Sequence, residues 1–141
     1  MLVSVPADPA NLGRGLQLLE KAGLIKLKEG AGFKATLADV VDNPKHLQFK
    51  ELEAAQLPRS IDDLDAATIT MNYVMSAGLD PAKQGIFLED KDAPLALMVI
   101  AARPDNKDSE AVQKFVKAYH SDEVKKFIAD KYKGTIVPGW S

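Results

Sequence analysis

Arg14 stands between Gly13 and Gly15 in the stretch "VSVPADPANLGRGLQLLEKAG", residues 3–23, which puts a cation in what reads as the first turn of a helix. The N-terminal end of a helix carries partial positive charge, so an arginine there is disfavoured by about 0.3–1 kcal/mol unless it faces something negative. Two readings stay open. Arg14 is either a solvated side chain reaching back to Glu20 or Asp8, or a guanidinium that joins the free N–H groups of the turn in holding an anion. The natural anion is a carboxylate taken by a two-pronged grip. The flanking glycines lower helix propensity, and close approach of a ligand or another backbone explains them best.

A second group lies at the end of "AATIT", where Thr70, Asn72 and Tyr73 occupy a strand-to-helix switch. Polar side chains there could read an amino group, or Asn72 could simply cap the following helix.

Other chemistries find little support. His46 and His120 are far apart and fit no metal-ligand spacing. The acidic stretches "SIDDLD" and "LEDKDAP" lack the calcium-loop pattern and read as solvated charge. Ser4, Ser60, Ser76, Ser109, Ser121 and Ser141 sit in no nucleophile motif. "NLGRG" follows a strand but matches neither nucleotide-binding glycine pattern. The residues recommend no cofactor and no metal, and they leave an enzyme open without recommending one.

These groups must be carried by a chain of 141 residues and 15.3 kDa, with 46% hydrophobic and 27% charged residues. That is ordinary globular composition and enough for one core. A net charge of −2 without a basic patch argues against nucleic acid. There is no cysteine, which excludes disulfides and thiolate sites. The start of the chain has no basic region or cleavage site of an export signal. The longest apolar run, Ala93 to Ala102, has half the length a membrane helix needs and reads as a buried strand.

Along the chain, Leu2–Val5 reads as a strand, "PADPAN" as a turn with Asp8 or Asn11 as cap, and Leu12, Leu16 and Leu19 as the apolar face of a helix closed by Gly23. Thr36 is expected to cap a short helix carrying Leu37, Val40 and Val41, "HLQFKELE" to form a half-exposed strand, and a short helix to begin near Pro58. "AATIT" reads as a strand and "MNYVMSAGL" as a helix closed by Gly78. Strand and helix alternate, which predicts a mostly parallel sheet with helices on both faces and ligand loops at the carboxyl ends of its strands. "GIFLED" and "PLALMVIAAR" read as two more strands across the turn "DKDA". Two helices broken near His120 and Ser121 follow, the first burying Val112, Phe115, Val116 and Tyr119, and Trp140 needs something to pack on.

"VSVPADPANLGRGLQLLEKAGLIKLKEG", "DVVDNPKHLQFKELEAAQLPRSIDDLDAATITMNYVMSAGL" and "GIFLEDKDAPLALMVIAARPDNKDSEAVQKFVKAYHSDEVKKF" together resemble the NlpA, or MetQ-like, family of methionine-binding lipoproteins of ABC importers, from Val3 to Trp140. The resemblance implies the α/β lobe of a type 2-like periplasmic binding protein, a binding protein and not an enzyme. Residues 1–84 would form the second ligand-binding lobe, and residues 85–141 the return segment of strands and two helices that completes the first. The opening part of the first lobe, the signal peptide and the lipid-bearing cysteine lie outside the matched stretch.

The resemblance also implies a periplasmic, lipid-anchored location, an ABC permease as partner and a methionine-like amino acid or small peptide as ligand. Arg14 corresponds to the arginine expected to hold the ligand carboxylate in a motif similar to "PNDPxNxGRAL", and Asn11 to its second asparagine. Ala7 stands where that motif has asparagine. "ITMNYV" replaces "INTNYA", so Thr70 stands where a ligand-contacting asparagine is expected, while Asn72 and Tyr73 remain. An Asn-to-Ala difference removes a donor and an acceptor and loosens the identity of the amino acid. An apolar strand edge without its lobe predicts self-association, for instance by exchange of the C-terminal segment between two chains. The alternative is a stand-alone α/β interaction or regulatory domain without a small-molecule ligand.

Overall fold

Val3 and Val5 alternate with Ser4 and Pro6 along the first strand, β1 (Leu2–Pro6), and all four are buried. Burial on both faces requires strands on either side and cover above and below. The computed structural model, which describes residues 1–90, 93 and 96–140, supplies both.

β1 lies at the centre of a three-stranded sheet in the order β4-β1-β5, both pairings parallel. β4 (Gln48–Leu52) pairs along the full length of β1, with Leu2 opposite Gln48 and Pro6 opposite Leu52. β5 (Ala66–Ala67) is short, and Val3 and Ser4 stand opposite its two residues. Bonds from Asp65 N–H to Leu2 O and from Thr68 N–H to Ser4 O extend that edge.

Helices cover both faces, as the strand–helix alternation predicts. On one face α1 (Pro9–Lys21) packs Leu12, Leu16 and Leu19 onto Val3 and Val5, joined by Ile25, Leu27, Ala35 and Leu47. On the other, α2 (Leu57–Ser60) brings Ser60 to Ser4, their hydroxyls 2.6 Å apart, beside the fully buried Leu57. The pleat makes this division, because residues one apart in a strand point to opposite faces. α1 ends where expected, with Gly23 at φ +72°.

A two-stranded antiparallel ribbon, β2 (Lys26–Leu27) with β3 (Val40–Asp42), lies beside α1. Here the sequence reading needs correction. Thr36 does cap a turn, but only the 3₁₀ turn Leu37–Asp39, and Val40 and Val41 belong to β3. Adjacent β-branched residues are stiff in a helix and pair readily in a strand.

After β5 come α3 (Met71–Ser76) and α4 (Pro81–Gln84). Gly78, at φ +70°, closes the stretch after α3. The chain divides into two compact units, Met1–Glu89 and Asp90–Ser141.

The second unit contains α5 (Glu110–Tyr119) and α6 (Asp122–Tyr132), separated at His120 and Ser121. Ser109 and Ser121 cap them, accepting from the N–H groups of Val112 and Val124. Trp140 stacks on His120 at 4.9 Å between centroids and meets Tyr119 in a tilted contact at 5.6 Å.

Two expectations fail in this region. Residues 85–90 and 96–103 form no strand, and Met98 and Val99 are 95% and 82% exposed. An apolar run makes a strand only when a neighbouring strand bonds its backbone, and the described residues of the second unit contain no strand to pair with residues 96–103. The turn expected at 90–93 lies partly outside the described residues, as do Pro94, Leu95 and Ser141. The apolar stripe of α5 is only partly covered: Val112 and Val116 are half-buried, while Phe115 and Tyr119 are 57% and 43% exposed.

Candidate ligand-binding site at the carboxyl edge of the sheet

β1 runs out at Pro6 into Ala7 and Asp8, and the Asp8 side chain caps α1. Asp8 Oδ1 accepts the Asn11 N–H at 3.0 Å, and Asn11 Nδ2 donates to Oδ1 and Oδ2 of Asp8 at 3.0 and 3.1 Å. The Asp8 carbonyl accepts from Leu12 N–H, and Pro9 has no N–H to offer. The helix end is thus largely closed by the chain's own carboxylate, and an anion shared between it and Arg14 is not what the geometry provides.

Arg14 itself lies in the second turn, because α1 begins at Pro9. The dipole acts mainly in the first turn, so it places little strain on this cation. The partner of Arg14 is neither Glu20, which accepts the Leu27 N–H, nor Asp8. It is Glu89. Arg14 Nε donates to Glu89 Oε1 at 2.9 Å and Oε2 at 2.8 Å, and Nη2 also donates to Oε2. The two side chains are 27% and 28% exposed, so water screens them less than a fully solvated pair. "LEDKDAP" therefore holds a carboxylate with a specific partner, not only solvated charge.

The glycines beside Arg14 answer to the protein itself. A Cβ on Gly13 would fall on the Phe33 carbonyl, and one on Gly15 would lie 2.7 Å from Thr68 Oγ1. Gly13 thus admits another backbone and Gly15 a side chain at the end of β5. The second contact brings α1 against the other candidate group.

Thr70 occupies the N-cap position of α3, so Asn72 is not the cap but the second helical residue, and it is exposed. The Thr70 carbonyl accepts from Tyr73 N–H at 3.0 Å and Val74 N–H at 3.2 Å. Its hydroxyl is buried without a partner, as is that of Thr68. Buried hydroxyls normally find a partner, so two in one short segment mark it as unusual. Ala7, Asn11 and Arg14 follow β1, and Thr70, Asn72 and Tyr73 follow β5. Parallel strands put both groups at one edge of the sheet.

The family model described as NlpA lipoprotein matches residues 1–140. The chain belongs to the NlpA lipoprotein family. This NlpA-family chain is 54% identical over 140 residues to the D-methionine-binding lipoprotein MetQ of Escherichia coli K12, covering 98% of itself and 51% of that protein. It is 48% identical over 140 residues to Lipoprotein 28 of the same strain, with the same coverage. Among solved structures, a nutrient binding protein from Burkholderia cenocepacia bound to methionine superposes with a TM-score of 0.88 at 46% identity, over 99% of this chain and 58% of that one. The NlpA-family chain spans about half the length of the relatives it matches.

Sequence reasoning about this NlpA-family site missed Glu89, Thr68 and the closing role of Asp8 together with Asn11. Asp8 reads from the sequence as a cap or as a partner of Arg14, and an Asp three residues before an Asn is the signal that could have found its pairing with Asn11. Glu89 lies 75 residues from Arg14 and carries no local signal. Two shallow depressions of about 340 and 430 Å³ open elsewhere on this unit, both beside Arg59. Among the described residues no cluster of His, Cys, Asp and Glu could hold a metal, and no helix is long and apolar enough to cross a membrane.

Proposed function

We propose that the chain is the ligand-recognising lobe of a substrate-binding protein of an ABC importer, taking a methionine-like amino acid or small peptide by its carboxylate. Arg14 carries the reading: its guanidinium already grips a carboxylate, that of Glu89, with the two-pronged geometry a ligand carboxylate would use. Asn11 acts through Asp8 by fixing the turn that presents Arg14. Thr70, Asn72 and Tyr73 face the ligand's amino group or side chain from the second turn, and Ala7 leaves room where the family motif has an amide. Relatives bearing the names methionine-binding lipoprotein and ABC transporter periplasmic substrate-binding protein support the same role.

In a two-lobed protein this lobe would work in the periplasm from a lipid anchor, delivering its ligand to a permease, with residues 85–141 returning to the other lobe. The role is recognition and delivery, without chemical conversion of the ligand. Titration of L-methionine into the chain, followed by amide NMR shifts, tests the reading. Arg14→Ala should weaken binding by about 2 kcal/mol, the low end of the cost of truncating a buried hydrogen-bonded charge pair, because the Arg14 side chain is 27% exposed. Unchanged affinity would overturn it in favour of a stand-alone interaction domain.

A further inference from the structure

We infer that Glu89 recognises the ammonium group of an α-amino acid whose carboxylate Arg14 holds, so that the Arg14–Glu89 pair forms a receptor for a zwitterion. The inference rests on the reading of Arg14 given above and adds what selects amino acids from other carboxylates.

Glu89 takes only part of Arg14. A guanidinium has five N–H donors, and Glu89 is bonded through Nε and Nη2, which leaves Nη1 without an acceptor among the described residues. A ligand carboxylate can take that free edge without displacing Glu89. Glu89 in turn accepts from Arg14 at both oxygens yet remains 28% exposed, so it retains acceptor capacity toward solvent.

Charge decides what can bind there. A bare carboxylate arriving at Arg14 comes within a few ångströms of the Glu89 carboxylate, and like charges so close disfavour one another. An α-amino acid removes the conflict. Its ammonium lies two bonds from its carboxylate carbon, so the ligand's positive end can face Glu89 while its negative end faces Arg14. The two dipoles then lie head to tail, and the ammonium supplies donors for the remaining lone pairs of Glu89. A hydroxyl in the same place supplies one donor and no charge.

The test compares L-methionine with its 2-hydroxy analogue, in which a hydroxyl replaces the ammonium. Each is titrated at pH 7 into the chain, into Glu89→Gln and into Glu89→Asp, with the ¹⁵N-edited signal of Arg14 Nε–H as readout. The unaltered chain is expected to prefer the amino acid by about tenfold or more, less than a fully enclosed polar site achieves. Glu89→Gln keeps an acceptor for Arg14 but no charge, and should bring the two affinities within about threefold of each other. Glu89→Asp retains the charge and should retain the preference. The inference fails if Glu89→Gln keeps the preference, or if it tightens both ligands equally, which would make Glu89 a competitor for Arg14. If neither ligand moves the Arg14 signal in the unaltered chain, the reading of Arg14 falls and this inference with it.

Discussion

Gly15 of α1 lies against Thr68 at the end of β5, so close that a Cβ on Gly15 would stand 2.7 Å from Thr68 Oγ1 and 3.3 Å from Thr68 Cβ. Gly15→Ala should therefore destabilise the first unit despite alanine's better helix propensity. The overpacking costs about 1–3 kcal/mol and the propensity gain offsets about 1. Gly13→Ala should cost more, because the obstacle is the Phe33 carbonyl and backbone yields less than a side chain. Urea unfolding of both variants measures the order, and a more stable Gly13→Ala protein would contradict this packing.

Thr68→Val should stabilise. The Thr68 residue is 5% exposed and its hydroxyl has no partner, so it bears a desolvation cost of about 1–3 kcal/mol that an apolar group of the same shape removes. A gain of about 1 kcal/mol in denaturant unfolding is expected. A loss would mean that a bound water or ligand partners the hydroxyl.

These predictions show what could be read from sequence. The alternation of β1 and the spacing of Leu12, Leu16 and Leu19 were legible because pleat and helix repeat act over a few residues, and a buried face imposes its pattern directly. Val40 and Val41 were misplaced because a capping signal at Thr36 gives where a helical turn starts but not how far it runs. The run around Met98 misled for another reason: apolar composition records a preference for burial, while a strand also needs partners for its backbone. At the site, Arg14 was found by its oddity between glycines. Its position in the second turn and its bond to Glu89 depend on where the helix starts and on a contact between distant residues, which spacing does not encode.

The capping box at Thr36 should show a definite pH response. Asp39 accepts from the Thr36 N–H at 2.8 Å and the Thr36 hydroxyl at 2.9 Å, and these bonds, the backbone one foremost, hold its carboxyl below the ordinary value of 3.8. A lowered folded-state pKa contributes stability that is present above the unfolded value and lost as pH falls through the folded one. The Thr36 amide shift should thus titrate with a midpoint below 3.8, and Asp39→Asn should flatten the curve. A midpoint above 3.8 would rule the box out in solution.

The apolar residues left open in the second unit should drive self-association. Leu97, Met98, Val99 and Ile100 are exposed in sequence, and Phe115 and Phe127 are open as well. Exposed apolar surface of this kind promotes association between copies. Light scattering should show dimers or larger species as concentration rises, and Val99→Lys with Met98→Lys should reduce them. A strictly monomeric mass at high concentration would contradict this.

The packing of Trp140 against His120 and Tyr119 gives the molecule an optical asymmetry. The chain has a single tryptophan, and it belongs to the second unit. Indole emission on heating or in denaturant therefore follows that unit alone, while far-ultraviolet circular dichroism follows the helices of both. Coincident transitions would identify one cooperative unfolding block, and separated ones would assign each midpoint to its own half without a label.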